Sequence, residues 1–153
     1  MDNRDGRYSG RTMTYSAPLP YFVYGTLRRG FDNYRWHLAE ETINEVPAVL
    51  DSAAMYAGPG YPQVVFPSPG DKVVGTLMYI DDQRLDNVLR SLDRLEGFEG
   101  EGKNNHHERI AVNVTAALGE TVLAHTYVLP QSRADTMTQS GRIPTGDWVL
   151  HNN

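Results

Sequence analysis

Hydrophobic positions in this chain come mostly in short β-like bursts, and one stretch alone keeps a helical period. Residues 83–96 place Leu85, Val88, Leu89, Leu92 and Leu95 on one stripe, with Asp81 or Asp82 available as N-cap and Gly97 as stop. That spacing predicts a helix. A shorter polar-apolar segment, Asn33 to Glu40, predicts a second helix that buries Trp36 or Leu38 over a sheet. The rest reads as strands. An aromatic and β-branched run, Tyr21-Phe-Val-Tyr24, stops at Gly25 and gives way to a polar, glycine-bounded loop ending at Gly30. The segment Thr42 to Met55 is strand-like, and Pro47 within it suits an edge or bulged position. Val64-Val-Phe66 and Val73 to Ile80, separated by Pro67-Ser-Pro-Gly-Asp71, predict a hairpin, with a bulge or close backbone approach at Gly75. Arg109 to Ala116 and Thr121 to Leu129 predict another around Leu118-Gly-Glu120, and Trp148-Val-Leu150 is expected to pin the C-terminus.

Many short strands with one good helix and no βαβ rhythm predict an α+β fold, a small mixed β-barrel with flanking helices. Residues 1–19 carry no apolar period and no signal-peptide h-region, and are expected to form a flexible extension ahead of a single domain over 20–153. At 153 residues the chain is about the size of one ordinary domain, large enough to bury roughly two-thirds of its unfolded surface.

Composition narrows the function. Hydrophobic residues at 40% and charged residues at 22% are globular values, and no apolar run approaches a membrane span. A formal charge of −5 argues against a nucleic-acid surface, although the local Arg28/Arg29 pair could still meet an anion. With no cysteine there is no disulfide, thiolate metal site or cysteine nucleophile, and with no secretory signal visible the cytoplasm is the expected compartment. His106 and His107 are adjacent, tend to point apart on an extended backbone, and lack a third ligand at a diagnostic spacing, so no metal is expected. Gly97-Phe-Glu-Gly-Glu-Gly102 reads as a mobile loop able to border a site.

Two features carry chemistry. The loop amides after Gly25 have no strand partner and can turn toward one anionic group. Glu96 falls four residues after Leu92 and seven after Leu89, inside the apolar stripe, whereas Asp86, Arg90, Asp93 and Arg94 fall outside it and are expected to face solvent. A carboxylate on the core side, at a helix C-terminus, has its pKa raised and suits a general base or acid. The competing reading has Glu96, as the last helical residue, fraying outward at Gly97 or pairing with an arginine such as Arg109.

Together, Tyr24-Gly-Thr-Leu27 after a strand, Gly58 to Pro62 ending in Tyr-Pro, Val74-Gly-Thr-Leu77, Leu92-Asp-Arg-Leu-Glu-Gly97 and Glu108-Arg109 opening a strand resemble the γ-glutamylcyclotransferase-like family over about residues 20–150. The resemblance implies a small barrel with a cavity at one end. It implies that the backbone of Tyr24, Gly25, Thr26 and Leu27 holds the glutamyl end of a γ-glutamyl amine or peptide. It also implies that Glu96 transfers the proton as the substrate closes to 5-oxoproline without a cofactor. The Tyr-Gly-Thr-Leu-Arg-Arg-Gly form resembles the γ-glutamylamine branch more than the glutathione-acting one. In one place the chain departs from the pattern: His107 stands where relatives often have a tyrosine, two positions before Arg109. Two other classes remain open. One is a non-catalytic module binding a small acidic metabolite; the other is an interaction protein using Tyr61, Phe66 and Tyr79 as a patch. A homodimer is compatible with either.

Overall fold

A computed structural model describes residues 18–152. The expected extension over 1–19 lies outside the described residues, apart from its last two. Five strands close into a barrel in the order β1 (Tyr21–Val23), β5 (Lys72–Ile80), β2 (Thr42–Asp51), β6 (Glu108–Ala116) and β7 (Thr121–Val128). Closure is made by a parallel pairing of β1 with β7 at Tyr21↔His125, and the other barrel pairings are antiparallel. A second, three-stranded sheet has β3 (Ala54–Ala57) between β4 (Pro62–Val65) and β8 (Arg142–Ile143).

The barrel is filled by the inward positions of its strands. Phe22, Leu50, Val73, Leu77, Val112 and Val114 form one cluster, with Met55, Val64 and Ile143 of the small sheet and Trp148 joined to it. Trp148 opens α4 (Trp148–His151), which Asp147 caps by accepting from Val149 N and Leu150 N, so the C-terminus is pinned as expected. On the other side, α1 (Asp32–His37) and α2 (Leu85–Glu96) cover the barrel through Tyr34, Leu38, Val88 and Leu92. Leu38 is fully buried and Trp36 is exposed, which resolves the choice left by the sequence.

The second expected hairpin, β6 with β7, is present. The first is not. β4 pairs with β3, while β5 runs back between β1 and β2, so residues 67–71 cross from the small sheet to the barrel instead of turning a hairpin. The stretch 42–55 is likewise two strands, broken at Ser52, whose φ is 61°. Nor is β2 an edge strand. It lies between β5 and β6, but its β6 ladder begins only at Ala48↔Ala116, so Pro47 sits just outside that ladder, where its missing N–H costs little. The predicted bulge lies at Thr42/Asn44.

Gly75 marks the close approach its position suggested. A Cβ there would collide with Val23 O and stand 2.7 Å from the Phe22 ring, and neither can retreat without opening the barrel. Gly75→Ala is therefore expected to lower stability by about 2–3 kcal/mol, read as a shifted denaturant midpoint with an unchanged slope.

Candidate active site

The strand that feeds the site ends early. β1 pairs with β5 only through Val23↔Thr76, and the chain then turns, with Arg28 N donating to Gly25 O at 3.0 Å and Phe31 N to Arg28 O at 3.3 Å. The amides of Gly25, Thr26 and Leu27 donate to no backbone or side-chain oxygen among the described residues. Their loop is nevertheless held. Thr26 O accepts from Tyr34 N at 3.2 Å, Thr26 Oγ1 accepts from Asn33 Nδ2 at 2.8 Å, and the Tyr24 hydroxyl donates to Tyr127 O at 2.6 Å. Gly25 fits because a Cβ would stand 2.7 Å from the Pro62 ring. Glycine here serves close packing, and its φ is not in the left-handed region.

The three residues that carry these amides line a cavity of about 280 Å³. Phe22, Val23, Leu27 and Pro62 line its deep part, while Gly60, Tyr61, Leu95 and His106 stand around the more exposed mouth. Glu96 lines the same cavity as Gly25, Thr26 and Leu27. Its helix stops there because Gly97 takes a left-handed φ of 71°, with Gly97 N on Arg94 O and Phe98 N on Asp93 O. Burial pushes the Glu96 carboxyl up to about 7, a value at which it can both take and give a proton near neutrality. Burial also raises the Tyr24 hydroxyl, with the nearby Glu96 charge acting in the same direction.

The ion pair weighed against this reading lies elsewhere. Arg109 bonds Asp93 and lies over the Phe98 ring, with its guanidinium carbon 4.9 Å from the ring centre, and the Tyr127 hydroxyl donates to the other Asp93 oxygen at 2.6 Å. Asp93 thus turns toward β6 and β7 and keeps only 21% of its side chain exposed. Glu96 is left without an arginine or lysine partner among the described residues.

Its neighbour is His107, which sequence spacing passed over. The His107 ring is 4% exposed, with Nδ1 3.1 Å from Glu96 O and 3.3 Å from Glu96 Oε1. Burial pushes this imidazole down to about 4, with His106 and Arg133 adding to the effect and the bond to Glu96 O opposing it. His106 and His107 do not point apart: their rings meet edge to face at 4.6 Å and both line the cavity. No group of three potential metal ligands occurs among the described residues.

Other expectations are also revised. Arg28 pairs with Asp147 at 3.1 Å and Arg29 holds Glu45 through two bonds, so both arginines are engaged in holding the fold. The glycine-rich loop is knotted around buried Asn105, which accepts from Glu99 N and donates to Gly100 O and Glu108 Oε1. Tyr61 lines the cavity while Phe66 and Tyr79 pack on the barrel core, so the three form no common patch. Asn33 and Tyr127 also line the cavity, and no periodicity or motif singled them out.

The closed mixed barrel thus carries a cavity lined both by Glu96 and by the Gly25–Leu27 loop. Residues 21–150 match the family described as "Gamma-glutamyl cyclotransferase, AIG2-like", and the chain belongs to that family. It is 32% identical over 108 residues to the γ-L-glutamyl-butirosin B γ-glutamyl cyclotransferase of Niallia circulans; the match covers 70% of this chain and 64% of that protein. The chain thus spans a little under two thirds of that relative. Among solved structures, an AIG2-like protein of mouse superposes with a TM-score of 0.62 at 22% identity, over 85% of this chain and 87% of that one. YkqA of Bacillus subtilis superposes with a TM-score of 0.59 at 24% identity, over 88% of this chain and 40% of that one. These two likenesses establish the fold.

Proposed function

We propose that this protein closes a γ-glutamyl amine, or a γ-glutamyl peptide, on itself to give 5-oxoproline and a free amine. The observation that carries the proposal is that Glu96, its carboxyl pushed up by partial burial, lines one cavity with Gly25, Thr26 and Leu27, whose amides have no partner among the described residues. The family name supports the same chemistry. So does the named activity of the Niallia circulans relative, which acts on a γ-glutamyl group.

The substrate brings its own nucleophile, and the site must hold it folded so that the α-nitrogen reaches the γ-carbonyl carbon. The Glu96 carboxylate takes a proton from the α-ammonium. The amine nitrogen then bonds to the γ-carbon, and the carbonyl π pair moves onto oxygen. When that pair returns, the bond to the leaving nitrogen breaks, and that nitrogen takes the proton held by Glu96. The second proton, shed as the attacking nitrogen becomes an amide, follows through the same carboxylate to the departing amine. The loop amides bind the α-carboxylate or the developing oxyanion, and being held in advance they need not reorganise as charge moves. No step needs a cofactor. The Tyr24-to-Gly30 sequence favours the γ-glutamylamine branch within this reading.

A panel of γ-glutamyl amines and peptides, assayed for 5-oxoproline with purified protein, tests the proposal. Release from at least one member is expected. Thermal stabilisation by several members with no 5-oxoproline from any would show a binding module instead.

A further inference from the structure

Glu96 carries the proposed proton transfer, yet the group nearest its carboxyl is a residue to which no role has been assigned. The last carbonyls of a helix lack partners within it, and Glu96 O belongs to that set. In α2 the Asp93 and Arg94 carbonyls are satisfied by the amides of Phe98 and Gly97. The Glu96 carbonyl accepts from the His107 ring. A carbonyl can only accept, so Nδ1 is the protonated nitrogen of this imidazole. The same nitrogen lies 3.1 Å from the main-chain oxygen, to which it donates, and 3.3 Å from Oε1 of the carboxyl, close enough for its N–H dipole to act on the charge there without a directed hydrogen bond.

The surroundings hold the ring in this position. His106 N donates to Gly97 O at 2.9 Å, tying the residue before His107 to the residue after Glu96. Arg133 donates to His106 O from the far side. Tyr61 meets the His107 ring edge-on at 6.5 Å.

We infer that His107 is a positioning residue for Glu96, its Nδ1–H fixing the helix end that carries the carboxyl and setting a donor dipole beside the carboxylate when the proton is given up. A positive dipole end near the charged form favours that form. His107 does not itself pass a proton, because burial keeps its ring neutral across the working range. The inference rests on Glu96 being the proton-transfer group. Other groups around Glu96 do not supply this donor. Asp93 is engaged by Arg109 and the Tyr127 hydroxyl, and the Tyr24 hydroxyl is committed to Tyr127 O. Tyr61 reaches the site through its ring, and His106 and Arg133 meet each other at the mouth.

Two variants separate positioning from packing. His107→Phe fills the space without a donor, and His107→Gln keeps an N–H donor. Carbon-13 NMR of the Glu96 carboxyl, assigned by its loss in Glu96→Gln, reads the titration with no substrate present. In His107→Phe the midpoint is expected to rise by about one pH unit, and turnover at pH 7 to fall roughly fivefold, with the loss shrinking as pH rises. His107→Gln is expected to restore most of both. A Glu96 midpoint unchanged in folded His107→Phe, or a His107→Gln variant as impaired as His107→Phe, overturns the inference. If instead wild-type turnover is absent while the NMR midpoint moves as stated, the positioning stands and the catalytic reading fails.

Discussion

Glu96→Gln is expected to lower 5-oxoproline release by about 10²–10⁴-fold, the range over which a positioned proton-transfer group accelerates a reaction. Gln keeps the length and shape of the side chain, and the His107 bond to the main-chain oxygen of residue 96 is untouched, so the cavity keeps its form. What is lost is the capacity to take the α-ammonium proton and return it to the leaving nitrogen. The loss should fall on kcat, with KM little changed, because the glutamyl end is held by backbone amides from another part of the chain. Rates of 5-oxoproline formation at saturating and limiting substrate measure the split. A large rise in KM with kcat intact would assign Glu96 to binding.

The same substitution is expected to stabilise the protein at alkaline pH. Burial raises the folded-state value of the Glu96 carboxyl from about 4.5 to about 7. Between those values the unfolded chain has released this proton and the folded chain has not, so stability falls as pH rises through that window and is level above it. The cost at pH 8 is about 3 kcal/mol, and Glu96→Gln does not incur it. For a domain of this size that corresponds to a gain in Tm of about 6–12 °C at pH 8, and none at pH 4. His107 acts with the opposite sign. Its folded-state value is depressed to about 4, so its contribution to stability is present above the ordinary imidazole range and is lost as pH falls toward 4. The two nearly offset each other in wild type. The difference between wild-type and Glu96→Gln melting curves at pH 4 and pH 8 therefore isolates the carboxyl.

How legible this site was in the sequence depended on how local its determinants are. The position of Glu96 followed from helical arithmetic over the stripe from Leu85 to Leu95, with Gly97 fixing where the helix stops. The loop at Gly25 was legible because β1 ends abruptly, although Gly25 is required for contact with Pro62, a residue remote in sequence. What could not be read depends on tertiary register. Asp93 lies outside the apolar stripe, yet it is enclosed because β6 and β7 bring Arg109 and Tyr127 against the end of α2. His107 reaches Glu96 only because the intervening loop is folded around Asn105, and no periodicity encodes that fold. The β4 strand shows the same limit: a short apolar run beside a turn signal looks like half of a hairpin, and its partner is decided by which sheet has an open edge.

The central claim is that Glu96, tuned by burial, moves the proton while the amides of Gly25, Thr26 and Leu27 hold the substrate. The dependence of kcat/KM on pH for a γ-glutamyl amine, measured for wild type and for the residual activity of Glu96→Gln, tests it most directly. Wild type is expected to show a rising limb with its midpoint near 7, because the base must be ionised to accept the proton, and Glu96→Gln should lack that limb. A limb that persists unchanged in Glu96→Gln would place the proton transfer on another group and contradict the account.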